Sequence, residues 1–166
     1  MTKWILRIVA IVALALIGFW VWRTFFPGPE QLIRRRMEAV ARTASFSPNE
    51  SPLAKLSNAQ KLTTFCADRV EITVDVPGQS QRTFNGRDEL MQAAIGARSV
   101  VSALKVEFFD LTVTLGPDRT SAVVNLTAKG KIPEERDFMV QELKFTFKKI
   151  NGDWLINRVE TVKTLL

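Results

Sequence analysis

The chain reads as α+β: an N-terminal transmembrane helix, then three helices packed on a strongly curved antiparallel sheet. Three observations lead there. Residues 4–22 form an apolar run broken only by Arg7; residues 30–101 hold three segments with apolar residues at helical spacing; from residue 103 onward the spacing becomes two. The order is helix, helix, hairpin, helix and a four-stranded meander. Residues 1–26 are read as the anchor, 27–29 as a Pro-Gly-Pro break, and 30–166 as one folded domain.

The anchor comes first. Counting from Trp4, the apolar stretch is about 19 residues, or about 28 Å of helix, which matches a hydrocarbon core of about 30 Å. Arg7 is placed to snorkel, while Trp4 on one side and Trp20 and Trp22 on the other mark the interfaces, with Arg23 closing the run. A cleaved signal peptide would want small residues after the apolar run, where this chain has Phe19, Trp20, Val21 and Trp22. The expectation is an uncleaved single-pass anchor in contact with membrane lipid. A literal positive-inside count, with Arg23 and Arg34 to Arg36 after the run, would place the domain in the cytoplasm. The short basic start before an apolar run has the form of a signal-anchor, and the reading adopted is an extracytoplasmic, periplasmic domain.

Ile33, Met37, Val40 and Ala44 form one stripe of the first domain helix, with Arg34, Arg35 and Arg36 largely off it. Those arginines suit a solvated face, or a contact with anionic lipid or a partner. Ser51-Pro52 reads as an N-cap followed by proline at the first helical position, with Leu53, Leu56, Leu62 and Phe65 as apolar contacts. Val70, Ile72, Val74 and Val76 then alternate with polar residues, and Pro77 to Ser80 turn the chain into a short return strand ending at Phe84. The third helix carries Leu90, Ala94, Ala97 and Val101, with Gly96 weakening its far end by about 1 kcal/mol relative to Ala.

Four strands follow, approximately at 103–115, 120–131, 138–149 and 154–165, joined by short turns. Asn151-Gly152 is the strongest hairpin signal, because both residues tolerate positive φ. Apolar positions switch parity at Phe108-Phe109, which predicts a bulge or sharp bend that curls the sheet.

Charge narrows the functional classes. Residues 1–42 hold seven basic residues against Glu30 and Glu38, whereas residues 43–166 hold 16 basic and 15 acidic, so the folded part is nearly neutral. A nucleic-acid reader concentrates basic charge on its folded surface, so no nucleic-acid partner is expected. There is no histidine, no tyrosine and one cysteine, Cys66, flanked by Phe65 and Ala67 and read as a small buried hydrophobe. Metal spacing, P-loop, dinucleotide fingerprint and nucleophile elbow are all missing, so neither metal nor cofactor is expected.

This order of elements, closing on Gly152, Trp154, Ile156 and Val159 in "NGDWLINRV", resembles the nuclear transport factor 2-like superfamily, a cone-shaped α+β fold also called cystatin-like or ketosteroid-isomerase-like. Within it the chain is most similar to the membrane-anchored bacterial branch, whose role is unassigned. The resemblance implies a pocket between curled sheet and helices. It does not imply one chemistry, since members include a ketosteroid isomerase, scytalone dehydratase, SnoaL-like polyketide cyclases, an epoxide hydrolase, association domains and secretion-system scaffolds. The isomerase uses an aspartate base with a tyrosine, and the dehydratase uses histidines; this chain has neither residue type.

Asp75 and Asp110 are the candidate catalytic residues, and Asn125 and Gln141 the candidate pocket residues, because these polar groups fall within predicted strands. A carboxylate buried in a dry pocket gains basicity and can abstract a proton. The competing expectation is an outward position on a half-solvated sheet. Two functions follow. One is a membrane-anchored, non-catalytic binding or assembly domain that holds a small apolar ligand or protein partner, with a homodimer through the sheet face. The other is a carboxylate-based isomerase, dehydratase or cyclase acting on a small apolar substrate, which requires an inward-facing aspartate.

Overall fold

The computed structural model describes residues 28–75, 81–133 and 138–162, together with Val12, Ala13, Ala15 and Gly18, which are helical. Among these described residues no helix is long and apolar enough to cross a membrane. The anchor expected over residues 1–26, including Trp4, Arg7, Trp20, Trp22 and Arg23, otherwise lies outside them.

Helix α1 spans Pro29–Ala44, α2 spans Pro52–Thr64 and α3 spans Gly86–Val100. The predicted stripe of α1 is its buried face: Ile33, Met37 and Val40 are buried, joined by Thr43. Helix α2 starts as read, with the Ser51 hydroxyl accepting from the Ala54 N–H at 3.2 Å and proline following. Its packing differs from expectation. Leu53 is 77% exposed and Leu56 48%, and the residues that α2 buries are Ala59 and Thr63. Leu62 and Phe65 pack against the core as expected, whereas Leu53 and Leu56 are turned outward. Likewise α3 buries Ala94 and Arg98 rather than an unbroken apolar stripe, and it continues past Gly96 to Val100.

The strands are β1 (Cys66–Val74), β2 (Arg82–Asn85), β3 (Lys105–Leu115), β4 (Ser121–Lys131), β5 (Met139–Ile150) and β6 (Asp153–Thr161). They form one sheet in the order β2-β1-β6-β5-β4-β3. The meander β3 to β6 and the β1–β2 hairpin pair antiparallel as predicted. The expectation of a wholly antiparallel sheet is corrected: β1 lies parallel to β6, so the curved sheet is mixed. The cause is where α2 ends. It delivers the chain to the start of β6, where the Ile156 N–H donates to the Phe65 carbonyl at 2.9 Å, and both strands then run from that end.

The β5–β6 turn has Asn151 at φ 52° and Gly152 at φ 92°, the signs a two-residue turn between right-twisted strands requires. The predicted bend in β3 is a register shift between Phe109 and Thr112, with Asp110 at φ 53°. Its consequence is that Phe108 and Leu111 both reach the helix-facing side, where they pack against the core. That core joins Ile33, Met37 and Val40 of α1 to Val124, Phe145, Phe147, Trp154 and Ile156 of the sheet.

Candidate functional site

The sheet has an inner face under the helices and an outer face away from them, and strand parity assigns each polar residue to one. Ala122, Val124 and Leu126 of β4 are buried inward. Asn125, between the last two, therefore points outward and is exposed. Asn125 is flanked by Thr112 of β3 and Lys144 of β5, and Lys144 pairs with Glu160 of β6. Asp110 is also exposed, at the bulge. The structure brings these two together: both line an open hollow of about 360 Å³ on the outer face, with Thr127, Glu142 and Val162.

Asp75 and Gln141 form a second pair. Asp75 follows the last residue of β1 and lines another outer-face hollow, of about 480 Å³, with Glu71, Thr73, Arg158 and Glu160. Gln141 shares the inward parity of Leu143, Phe145 and Phe147, yet its amide is spent on the backbone. Its Nε2 donates to the Asp75 carbonyl at 2.5 Å and to Thr161 Oγ1 at 3.1 Å, while the Asp75 N–H donates to the same hydroxyl at 3.1 Å. These bonds tie the end of β1 to β5 and β6. Gln141 is thus brought to the main chain of Asp75.

The helices pack on an apolar cluster of the inner sheet face. Phe108 and Phe145 meet edge to face, centroids 6.1 Å apart, and Phe147, Trp154 and Leu126 close the floor against Ile33 and Met37. Among the described residues, no inward position of the sheet carries a carboxylate, and no cluster of potential metal ligands exists. Cys66 is buried as expected; burial pushes its thiol up to about 11 against the lowering effect of Arg87 and Arg36. A groove of about 530 Å³ does open between α1 and the edge strand β3, lined by Arg34, Glu38, Arg42, Glu107, Phe108 and Phe109. None of the four candidate residues lines it.

Sequence reasoning missed a buried ion pair. Arg98 is 3% exposed, with Nε 3.4 Å from Glu50 Oε2, and those two atoms lack aligned hydrogen-bond partners. Arg98 also donates to the Thr43 carbonyl at 2.5 Å and stacks 5.1 Å from the Phe46 ring centroid, while Asn58 donates to Glu50. The group joins all three helices. Its signal was available: Arg98 lies four residues after buried Ala94, on the same helical stripe. The arginines of α1 are likewise more than a solvated face. Arg34 donates to the Leu111 carbonyl at 2.9 Å, and Arg36 donates to the Trp154 carbonyl and lies 3.9 Å from Asp153.

No family model and no curated protein matches this sequence. Solved structures do. A nuclear transport factor 2-like protein with a cystatin-like fold from Novosphingobium aromaticivorans superposes with a TM-score of 0.64 at 16% identity, covering 86% of each chain. A protein from the same organism named for scytalone dehydratase gives 0.58 at 16% identity, covering 82% of this chain and 84% of that one. The yeast UBP3-associated protein BRE5 gives 0.59 at 13% identity, covering 81% and 97%. At these identities the likeness is one of fold, and the fold is nuclear transport factor 2-like.

Proposed function

We propose that this chain is a non-catalytic binding or assembly domain of the membrane-anchored bacterial type, held at a membrane by residues 1–26 and facing the extracytoplasmic side. The observation that carries the reading is the inner face. An enzyme of the carboxylate type needs an ionisable group aimed into a cavity. Here Asp75 and Asp110 both line outer hollows, and the inner face is packed with apolar side chains except at Gln141, whose amide is bonded to Asp75 and Thr161. The alternative, an isomerase, dehydratase or cyclase, would have to draw its base from a carboxylate at one of the open hollows, Asp75 or Asp110 on the outer face or Glu38 or Glu107 at the α1–β3 groove. That a neighbour in fold is a UBP3-associated protein and another is named for a dehydratase supports either class equally.

The outer sheet face is the surface offered to a protein partner or to a second copy. Phe109 is 46% exposed, Val140 60% and Val162 39%, set among the charged ladder of Glu71, Arg158, Glu160 and Lys144. The test is to crosslink the full chain in its own membranes and to assay it against a panel of small apolar ketones and enones. A discrete crosslinked species with no turnover is the expected result. Turnover abolished by Asp75→Asn or Asp110→Asn would overturn it. An alkaline phosphatase fusion at the carboxyl end tests the side: activity is expected.

A further inference from the structure

At the end of the domain away from the start of α1, Lys105 pairs with Glu107, and Lys129 and Lys131 lie over the Phe138 ring. Pro29 starts α1 at the end where the β3–β4 and β5–β6 turns also lie. Arg34 and Arg36, in the next turns, touch Leu111 and Trp154, and the Lys149 N–H donates to the Thr120 carbonyl at 2.7 Å, setting the two turns side by side. Arg119, Lys148, Lys149 and Ile150 are exposed there. Of the carboxylates at this end, three lie against groups of the domain. Asp118 accepts from Thr120 and Ser121, Asp153 lies by Arg36, and Asp68 is 2.8 Å from Arg87. Glu30 in the first turn of α1 and Asp88 and Glu89 in the first turn of α3 are further acids at this end, Glu89 accepting from the Asn85 N–H, and they stand against exposed Arg35, Arg119, Lys148 and Lys149.

The apolar run ends at Trp22, six residues before Gly28. Fully extended, six residues reach about 20 Å. If residues 1–26 span a bilayer, the end of the domain that carries Pro29 is held within that distance of the headgroups. We infer that this end, through Arg119, Lys148 and Lys149, rests on the headgroups of anionic lipids. The inference rests on the anchor reading above and adds an orientation to it. Basic groups close to an anionic surface are attracted within about one Debye length, about 8 Å at physiological salt. Tethering supplies the proximity at no further cost in association entropy.

The experiment uses the full chain reconstituted in vesicles of phosphatidylcholine, with or without phosphatidylglycerol, each containing a headgroup spin-labelled lipid. Ile150→Cys or Ser47→Cys carries a fluorophore; Ser47 is exposed in the loop after α1, at the opposite end, and the unmodified chain with buried Cys66 is the labelling control. Expected is quenching at position 150 in phosphatidylglycerol vesicles, weak quenching at 47, and loss of the difference in about 1 M salt, where the Debye length is about 3 Å. Neutralising Arg119, Lys148 and Lys149 to Gln lowers the ratio of docked to undocked domain about fivefold per cation. Equal quenching at 150 and 47, or no response to salt, overturns the inference alone if the chain stays with the vesicles in alkaline carbonate. Release into the carbonate supernatant overturns the anchor reading and this inference with it.

Discussion

Asp118 holds the β3–β4 turn by accepting from the Thr120 N–H at 3.2 Å, the Ser121 N–H at 3.1 Å, and both hydroxyls at 2.7 Å. Hydrogen bonds from Thr120 and then Ser121 pull its carboxyl well below the usual carboxylate range. A depressed folded-state value contributes stability above the unfolded aspartate value of about 3.9, and that contribution is lost as pH falls through the folded value. Asp118→Ala is therefore expected to lower Tm at pH 7, with the deficit shrinking as pH falls below about 4; a pH-independent deficit in thermal scans would contradict this. Gly116 belongs to the same turn, because a Cβ there would stand 2.1 Å from Ser121 Oγ. The dipeptide Gly116-Pro117 announces a turn in the sequence, but which side chain fastens it is a matter of where Thr120 and Ser121 come to rest.

At the scale of elements, the helices are joined by the Glu50–Arg98 pair as well as by the core that Leu62 and Leu90 pack against. Removing one buried partner leaves the other charge desolvated, which costs about 3–5 kcal/mol, whereas replacing both by apolar side chains is often close to neutral. Arg98→Met is thus expected to destabilise by that amount, and Glu50→Met combined with Arg98→Met by clearly less. Chemical denaturation of the two variants checks it, and equal losses would show that the charges are not coupled. The exposed ladder of Arg158 with Glu71 and Glu160 is the contrast. Pairs at 3.5 and 3.2 Å in solvent contribute about 0–1 kcal/mol and are better regarded as surface chemistry.

For the molecule as a whole, the proposed second copy on the outer face makes a direct prediction. Asn125 lies on that face in β4, next to the edge strand, between Thr112 and Lys144, and is exposed. Sedimentation of the full chain in detergent is expected to give twice the 18.7 kDa protein mass, and Asn125→Arg to return the monomer by placing like charges across a two-fold contact. A monomer from the unmodified chain would end the dimer proposal while leaving a different protein partner open to the crosslinking test.

The sequence by itself determined the element order, the burial of Ile33, Met37 and Val40, the Ser51-Pro52 helix start, the bend near Phe109 and the Asn151-Gly152 turn. Each is set by neighbours within a few residues, through periodicity, capping or backbone freedom. Tertiary structure decided that β1 runs parallel to β6, that Leu53 and Leu56 face outward, and that Arg98 is buried against Glu50. It also decided that the four candidate polar residues fall into two pairs, Asp110 with Asn125 and Asp75 with Gln141. These depend on which distant segment lies opposite, and spacing along one strand or helix carries no record of that.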